Sequence, residues 1–429
     1  MKNLLKSASL LITVVAFLSS CNKDLETFAP ISTPTYPSGS RIATTLSANP
    51  NYSFYNALIT RAGMTALLND STRRFTLFAT DNAGMKLFVN AASGGLVPLN
   101  APDATFLGFI STTLPATSAA GIVQYNLLGG SVLSSAIPTT FPNYPYTSQI
   151  VLDPNQPFVR MPIFPVRGTP TSYVNTLPLT GVDMVATNGV IHTTVSVVTP
   201  PSQLLRQMIN AESSLSYFRA AVLRADSGQI VKGTPTAPDS TNFFNYLLGY
   251  GVTNMTIFPP NDAAFQQLIY GLVYAKVFAA TGGNATIANA QATGAVALGP
   301  SIFTNPVFAS DLSPTVVRGI IAYHFLGSNS TPINTTGTYK PDIRVFSVNI
   351  PSTPTLVKTL VNGAVATHPG VRAVATYTGP FATSVQVTGV GTFPPGGAPF
   401  SGPAANVIAA DKHAVNGVYH IIDRVLLPQ

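Results

Sequence analysis

Five histidines, His192, His324, His368, His413 and His420, are the residues best suited to chemistry in this chain of 429. An imidazole titrates near neutrality, so it can act as a general base, a proton shuttle or a metal ligand. No two of the five have the spacing of a zinc pair on a helix, and HExxH and CxxC are absent. His413 and His420 lie seven apart across a hairpin and do not converge. Carboxylates are scarce, fifteen in all, and none form the facing pair that glycoside hydrolysis requires. A serine nucleophile on a G-x-S-x-G turn is missing. The glycine-rich stretch 281–299 has no lysine to hold phosphate and reads as a flexible insertion of small residues. No catalytic residue, metal or cofactor is therefore assigned. The histidines are expected to bond backbone groups inside the fold.

The composition suits a protein outside the cytoplasm. Only 9% of residues are charged, mean hydropathy is +0.30, and there are 36 prolines, 33 glycines and no tryptophan. The net charge of +7 is spread thinly, without the basic runs that track phosphates, which argues against nucleic acid as a partner. Residues 1–20 combine a basic start, Lys2 and Lys6, with the apolar run SLLITVVAFL, which is too short to span a bilayer comfortably. The LSSC that follows resembles the lipobox of bacterial lipoproteins, which implies acylation of Cys21, the one cysteine. NKDLE, directly after it, is similar to the signal that sends Bacteroidetes lipoproteins to the outer cell surface. Residues 21–40 then read as a tether rich in Pro, Ser and Thr. Asp70-Ser71-Thr72 and Asp239-Ser240-Thr241 resemble the O-glycosylation acceptor of Bacteroidetes envelope proteins, with Ser71 and Ser240 as the acceptors.

Beyond the tether the chain repeats itself. SFYNALITRAG (53–63) aligns with SYFRAAVLRAD at an offset of 163, and TLFATDNAGM (76–85) with TIFPPNDAAF at 180. VQYNLLGG (123–130) aligns with IAYHFLGS at 198, and DMVATNGVIH (183–192) with DKHAVNGVYH at 228. Four blocks in one order, with an offset that only grows, indicate a duplicated domain whose second copy gained insertions. The first block has the spacing of an amphipathic helix on Phe54, Ala57, Leu58 and Arg61. In the second, Pro259 and Pro260 stop a strand, and Asn261 or Asp262 caps a helix with a buried stripe of Phe265, Leu268, Ile269 and Leu272. In the fourth, Asn188-Gly189 and Asn416-Gly417 predict hairpins whose central residues both have positive φ. The near-continuous apolar strands after them predict burial on both faces.

Taken together, the T-[LI]-F segment, the YH pair and D-x-x-x-x-NG-V-x-H resemble the fasciclin domain over nearly the whole chain after the tether. The second copy matches better. In the first, Thr80 stands where proline is usual, Asn126 replaces the histidine of the YH pair, and Val195 occupies the place of Asp423. The resemblance implies an α+β fold of two tandem domains, 41–200 and 201–429, each a wedge-like β-sandwich with helices packed along one side.

It also implies adhesion or extracellular binding rather than catalysis. In some animal fasciclin domains the tract before the Asn-Gly and the region around YH are associated with integrin-type adhesion. Here those positions are Asp183, Met184, Asn188 and His192, Tyr323 and His324, and Asp411, Asn416 and His420. Asp183 and Asp411 also have a scaffold reading, as strand-end carboxylates that bond nearby backbone and pin the hairpin. The second copy's insertions, 391–403 among them, are expected to be loops where partner recognition lies. The expected protein is a non-catalytic lipoprotein of the outer membrane, exposed at the cell surface, that binds a protein or polysaccharide and touches the membrane through its N-terminal lipid. The rival is an accessory glycan-binding lipoprotein of a nutrient-uptake system.

Overall fold

Each repeat is organised around one parallel strand pair that is buried along its whole length. In the first repeat this pair is β1 (Phe75–Thr80) and β8 (Gly189–Thr194), every residue of which is buried. In the second, β14 (Gly417–Ile422) lies parallel to β9 (Met255–Ile257). The computed structural model describes residues 39–139, 141–168, 171–227, 243–327, 343–391, 400 and 402–428.

The fold is α+β. The first repeat carries α1 (Ile42–Ser47), α2 (Ser53–Arg61), α3 (Thr65–Leu68), α4 (Asn82–Ala92), α5 (Asp103–Gly108) and α6 (Ala116–Tyr125). Its other strands are β2 (Leu127–Gly129), β3 (Tyr146–Val151), β4 (Arg160–Ile163), β5 (Pro165–Arg167), β6 (Ser172–Val174) and β7 (Leu177–Ala186). The second repeat has α7 (Leu205–Ala211), α8 (Ser216–Asp226), α9 (Phe243–Gly249), α10 (Asp262–Ala280), α11 (Ala285–Ala297) and α12 (Pro314–Tyr323). Its remaining strands are β10 (Thr355–Val357), β11 (Val371–Thr378), β12 (Phe381–Thr388) and β13 (Ala405–Ala414). The sheets run β4-β3-β2-β1-β8-β7-β6-β5 and β10-β11-β12-β13-β14-β9.

Alternation along β1 sends its side chains into two cores. Leu77 and Ala79 join α1, α2, α4 and α6 on the helical side. Phe78 points the other way, into a cluster with Met161 and Ile163 of β4, Val174 of β6 and Leu179 of β7. Strands β4 and β6 come from opposite halves of the sheet, so the sheet folds over on itself into a wedge. The repeated blocks superpose in register as well as in sequence. Leu77 pairs with Leu127 in the first repeat, and Ile257 with Phe325 in the second. The helix caps also match: Asp81 accepts the Gly84 N–H at 2.9 Å, and Asn261 accepts that of Ala264 at 2.8 Å.

Two sequence expectations are corrected. Stretch 281–299 is largely helix α11, not a flexible insertion: Ala288, Ala292 and Ala295 are buried, and Asn289 accepts a hydrogen bond from Tyr270 of α10. Small side chains spaced four and three apart let two helices approach closely, which composition alone read as looseness. Leu272 is 41% exposed and leaves the buried stripe that Phe265 and Ile269 do form. Cys21, the tether to residue 38, Ser240 and residues 392–399 lie outside the described residues.

Residues Gly39–Gln429 form one compact unit, and the two repeats meet inside it. Phe164 packs edge-on against Phe346 at 5.9 Å, and the Tyr173 hydroxyl donates to the Pro380 carbonyl at 2.6 Å. Asn143 donates to Asn349 beside them.

Candidate functional site

The closing hairpins hold most of the residues singled out from the sequence. Strand pairing joins Ala186 to Gly189 and Ala414 to Gly417, so the two-residue loops are Thr187-Asn188 and Val415-Asn416. Neither asparagine has a positive φ, which corrects the expected turn type. The asparagines are there for their side chains. Asn188 Oδ1 accepts the Ile42 N–H at 2.9 Å, and its Nδ2 donates to the carbonyls of Leu68 and Asp70. Asn416 repeats the pattern, accepting from Leu205 at 2.9 Å and donating to Leu248 and Tyr250, both at 3.1 Å. Each main-chain carbonyl then takes the first N–H of the opening strand, Phe75 or Met255. One residue thus ties the first helix and first strand of a repeat to its last strand. Glycine must follow because that strand passes so close: a Cβ on Gly417 would lie 2.5 Å from the Met255 carbonyl oxygen.

Behind each clasp lies a serine, an aspartate and a histidine. Asp183 and Asp411 sit at bulges within β7 and β13, not at strand ends, with φ of 59° and 58°. Aspartate tolerates this left-handed geometry better than most residues. The bulge frees the aspartate N–H to donate to the histidine, 3.2 Å from His192 Nδ1 and 3.1 Å from His420 Nδ1. With Nδ1 accepting, Nε2 carries the proton and donates to the carbonyl of Val132 or Val345, each at 2.9 Å. The carboxylates face the other way. Asp183 accepts from the N–H and hydroxyl of Ser134, and Asp411 from those of Ser347.

The trio has the residue types of a nucleophilic triad but not its connectivity. The serine hydroxyl is bound to the carboxylate instead of the imidazole, and both imidazole nitrogens are consumed by backbone groups. Burial holds His192 below its ordinary pKa, against the opposing pull of Val132 and Asp183. Burial would raise Asp183, but the two Ser134 hydrogen bonds and His192 outweigh it and keep the carboxyl low. Ser347→Ala is expected to cost about 1–2 kcal/mol of stability, the worth of one charge-assisted hydrogen bond, read by urea denaturation.

No protein-family model and no curated protein sequence matches the chain. Among solved structures it is similar to a FAS1 domain pair from the insect cell adhesion molecule fasciclin I. Identity is 13%, over 87% of this chain and 95% of that one, with a TM-score of 0.32.

Tyr323 and His324 are fully buried. The Tyr323 hydroxyl donates to the Gly370 carbonyl at 2.6 Å and accepts the Val390 N–H at 2.9 Å. His324 Nδ1 donates to the Ile320 carbonyl at 2.8 Å, and Nε2 accepts the Leu426 N–H at 2.9 Å. Burial lowers its pKa from 6.5 to about 4. Asn126 fills the same place in the first repeat, donating to the carbonyls of Ile122 and Val198. The substitution keeps the donation to the carbonyl four residues back, reverses the bond to the C-terminal segment, where His324 accepts an N–H and Asn126 donates to a carbonyl, and drops the titratable group. Ser71 is exposed, and the carboxylate of Asp70 holds the backbone and hydroxyl of Thr72. Among the described residues no group of three or more His, Cys, Asp or Glu could hold a metal ion.

Three important residues escaped the sequence reading. Ser134 and Ser347 carry their own signal, since VLSSAIP (132–138) aligns with VFSVNIP (345–351) at an offset of 213. Arg344 carries none. It is fully buried in the junction between repeats, its guanidinium 4.9 Å from the Phe164 ring centroid. It donates to the Val415 carbonyl at 3.1 Å and lies 3.0 Å from His413 Nε2. Burial drops Arg344 to about 10, still cationic at neutrality, and burial with this cation pushes His413 well below its ordinary range.

The junction makes the two motif tracts unequal. In the second repeat, His413 packs edge-on against Phe346 and Val415 joins the first repeat's inner core. In the first repeat the matching tract is open: Val182 and Val185 are 49% and 53% exposed on either side of Asp183 and half-buried Met184.

Proposed function

We propose that this chain is a non-catalytic binding protein of the fasciclin type. It is carried on the outer membrane by lipid at Cys21 and displayed at the cell surface, where it adheres to a protein partner. The observation that carries this reading is the open tract of the first repeat. The chemistry-bearing residues of both repeats are spent on holding the fold, whereas Val182 and Val185 present apolar surface beside the motif aspartate. Exposed apolar residues grouped on a rigid strand are the usual material of a protein-binding surface. The aspartate itself does not supply the contact, because its carboxylate is turned onto Ser134.

A glycan-binding role in nutrient uptake is the second reading. It is favoured by Tyr144 and Phe158, 63% and 76% exposed near the β3–β4 hairpin, whose rings can stack on sugars. Full-length protein on intact cells separates the two. Cys21→Ala is expected to release the protein from cells. Val182→Asp with Val185→Asp should weaken adhesion to partner cells by at least about tenfold with an unchanged melting temperature, the scale of losing an apolar hot spot. If Tyr144→Ala with Phe158→Ala abolishes binding to polysaccharide and the valine pair has no effect, the glycan reading replaces adhesion. Protein shielded from added protease in intact cells would end both.

A further inference from the structure

The second repeat contains a groove between two of its helices. Its α4 counterpart in the first repeat ends after 11 residues, whereas α10 runs for 19 and is followed by α11. The extra turns of α10 and the facing side of α12 enclose about 700 Å³, within the range of ligand-binding cavities. The lining is mainly aliphatic, with Leu268, Leu272 and Val273 on one wall and Val316 and Ile320 on the other, and it also includes Phe308, Gln291 and Thr315. Leu427 lies at its edge. Among the described residues, Lys276 and Asp311 are its charged lining residues, and they form an exposed ion pair at 2.7 Å.

Gly319 explains why the groove stays open. It lies inside α12, where glycine is less favourable than alanine. No turn, positive φ or close contact requires it: a Cβ at this position would meet nothing within 4 Å. The missing side chain therefore leaves space in the groove at a cost to the helix.

We propose that this groove binds one single-chain amphiphile of the fatty-acid class. The hydrocarbon lies between α10 and α12, and the carboxylate sits at Lys276 in place of Asp311. Unbranched hydrocarbon suits walls that are mainly aliphatic. An exposed ion pair contributes little and exchanges readily for an incoming carboxylate. This site is independent of the open tract in the first repeat.

The test is equilibrium dialysis of radiolabelled palmitate against the full-length chain carrying Cys21→Ala, which keeps covalent acyl groups out of the measurement. One palmitate per chain is expected. Adding Gly319→Leu should weaken binding by at least tenfold while leaving the melting temperature equal or higher, since the new side chain enters empty space on a helix. Val316→Glu, at a lip position that is 46% exposed, should do the same if the leucine variant folds poorly. Lys276→Gln should weaken palmitate several-fold and leave hexadecanol unaffected. Failure of the parent chain to bind palmitate, or equal binding by Gly319→Leu and Val316→Glu, would overturn the proposal. Sedimentation showing a dimer of the parent chain that Gly319→Leu dissolves would assign the groove to a second copy instead.

Discussion

Asn416→Ala is expected to lower stability by about 4 kcal/mol and the melting temperature by roughly 5 °C. The side chain accepts from the buried Leu205 N–H and donates to the Leu248 and Tyr250 carbonyls. Alanine leaves the buried Leu205 N–H and Leu248 carbonyl without partners, while the Tyr250 carbonyl keeps Thr253, and each stranded buried group costs about 1–3 kcal/mol. Against a total stability of about 5–15 kcal/mol this is a large fraction. Asn188→Ala should behave similarly through Ile42, Leu68 and Asp70. The decisive comparison is Asn416→Gly. If asparagine served only to form a tight turn, glycine would replace it at little cost. A clasp loses as much with glycine as with alanine. Thermal and urea melts of the three variants read the difference, and a near-native Asn416→Gly would disprove the clasp.

Acid will destabilise the protein through His324 as the pH falls below 6.5. The pKa of this group falls from 6.5 to about 4 on folding because burial penalises the imidazolium. Above pH 6.5 the residue is neutral in both states and has no effect. Below that value the unfolded chain takes up a proton that the folded chain refuses, so stability falls progressively until the folded form also protonates near pH 4. Over this window the loss from His324 is about 3 kcal/mol. His192 and His413, also depressed, act in the same direction. His324→Asn borrows the first repeat's solution, Asn126, and should flatten the pH dependence between 6.5 and 4 at a cost of about 1 kcal/mol at neutrality. Urea midpoints measured from pH 7.5 to 4 test this. A slope unchanged by the substitution would place the acid sensitivity elsewhere.

Much of the architecture was legible in the sequence because local physics writes it there. The apolar run before Asp81 and that before Pro259 predicted the central strands, and of the two cap candidates, Asn261 and Asp262, the structure uses Asn261. The growing offsets revealed the duplication, and the partner strands then fell into equivalent registers. Reading failed where one observation had two physical causes. Alanine and glycine in 281–299 signify either a loose loop or a tightly packed helix, and only the neighbouring α10 decides between them. Asn-Gly is a turn signal, yet here the asparagine serves a hydrogen-bonding role and the glycine a steric one.

The sequence by itself determined that the chain holds two copies of one unit, each closed by a hairpin bearing asparagine and histidine, while its α+β class was what the resemblance to the fasciclin domain implied. Such features rest on periodicity, caps and repetition, which act over a few residues or compare a chain with itself. The tertiary structure alone decided what those residues do. It turned Asp183 and Asp411 onto serines 49 and 64 positions away. It placed a cation, Arg344, against an aromatic ring of the other repeat and left Val182 and Val185 facing solvent. A side chain's partners across such distances depend on how layers pack and which faces meet. A hydrogen-bonding group carries no mark in the sequence of the partner that folding will bring to it.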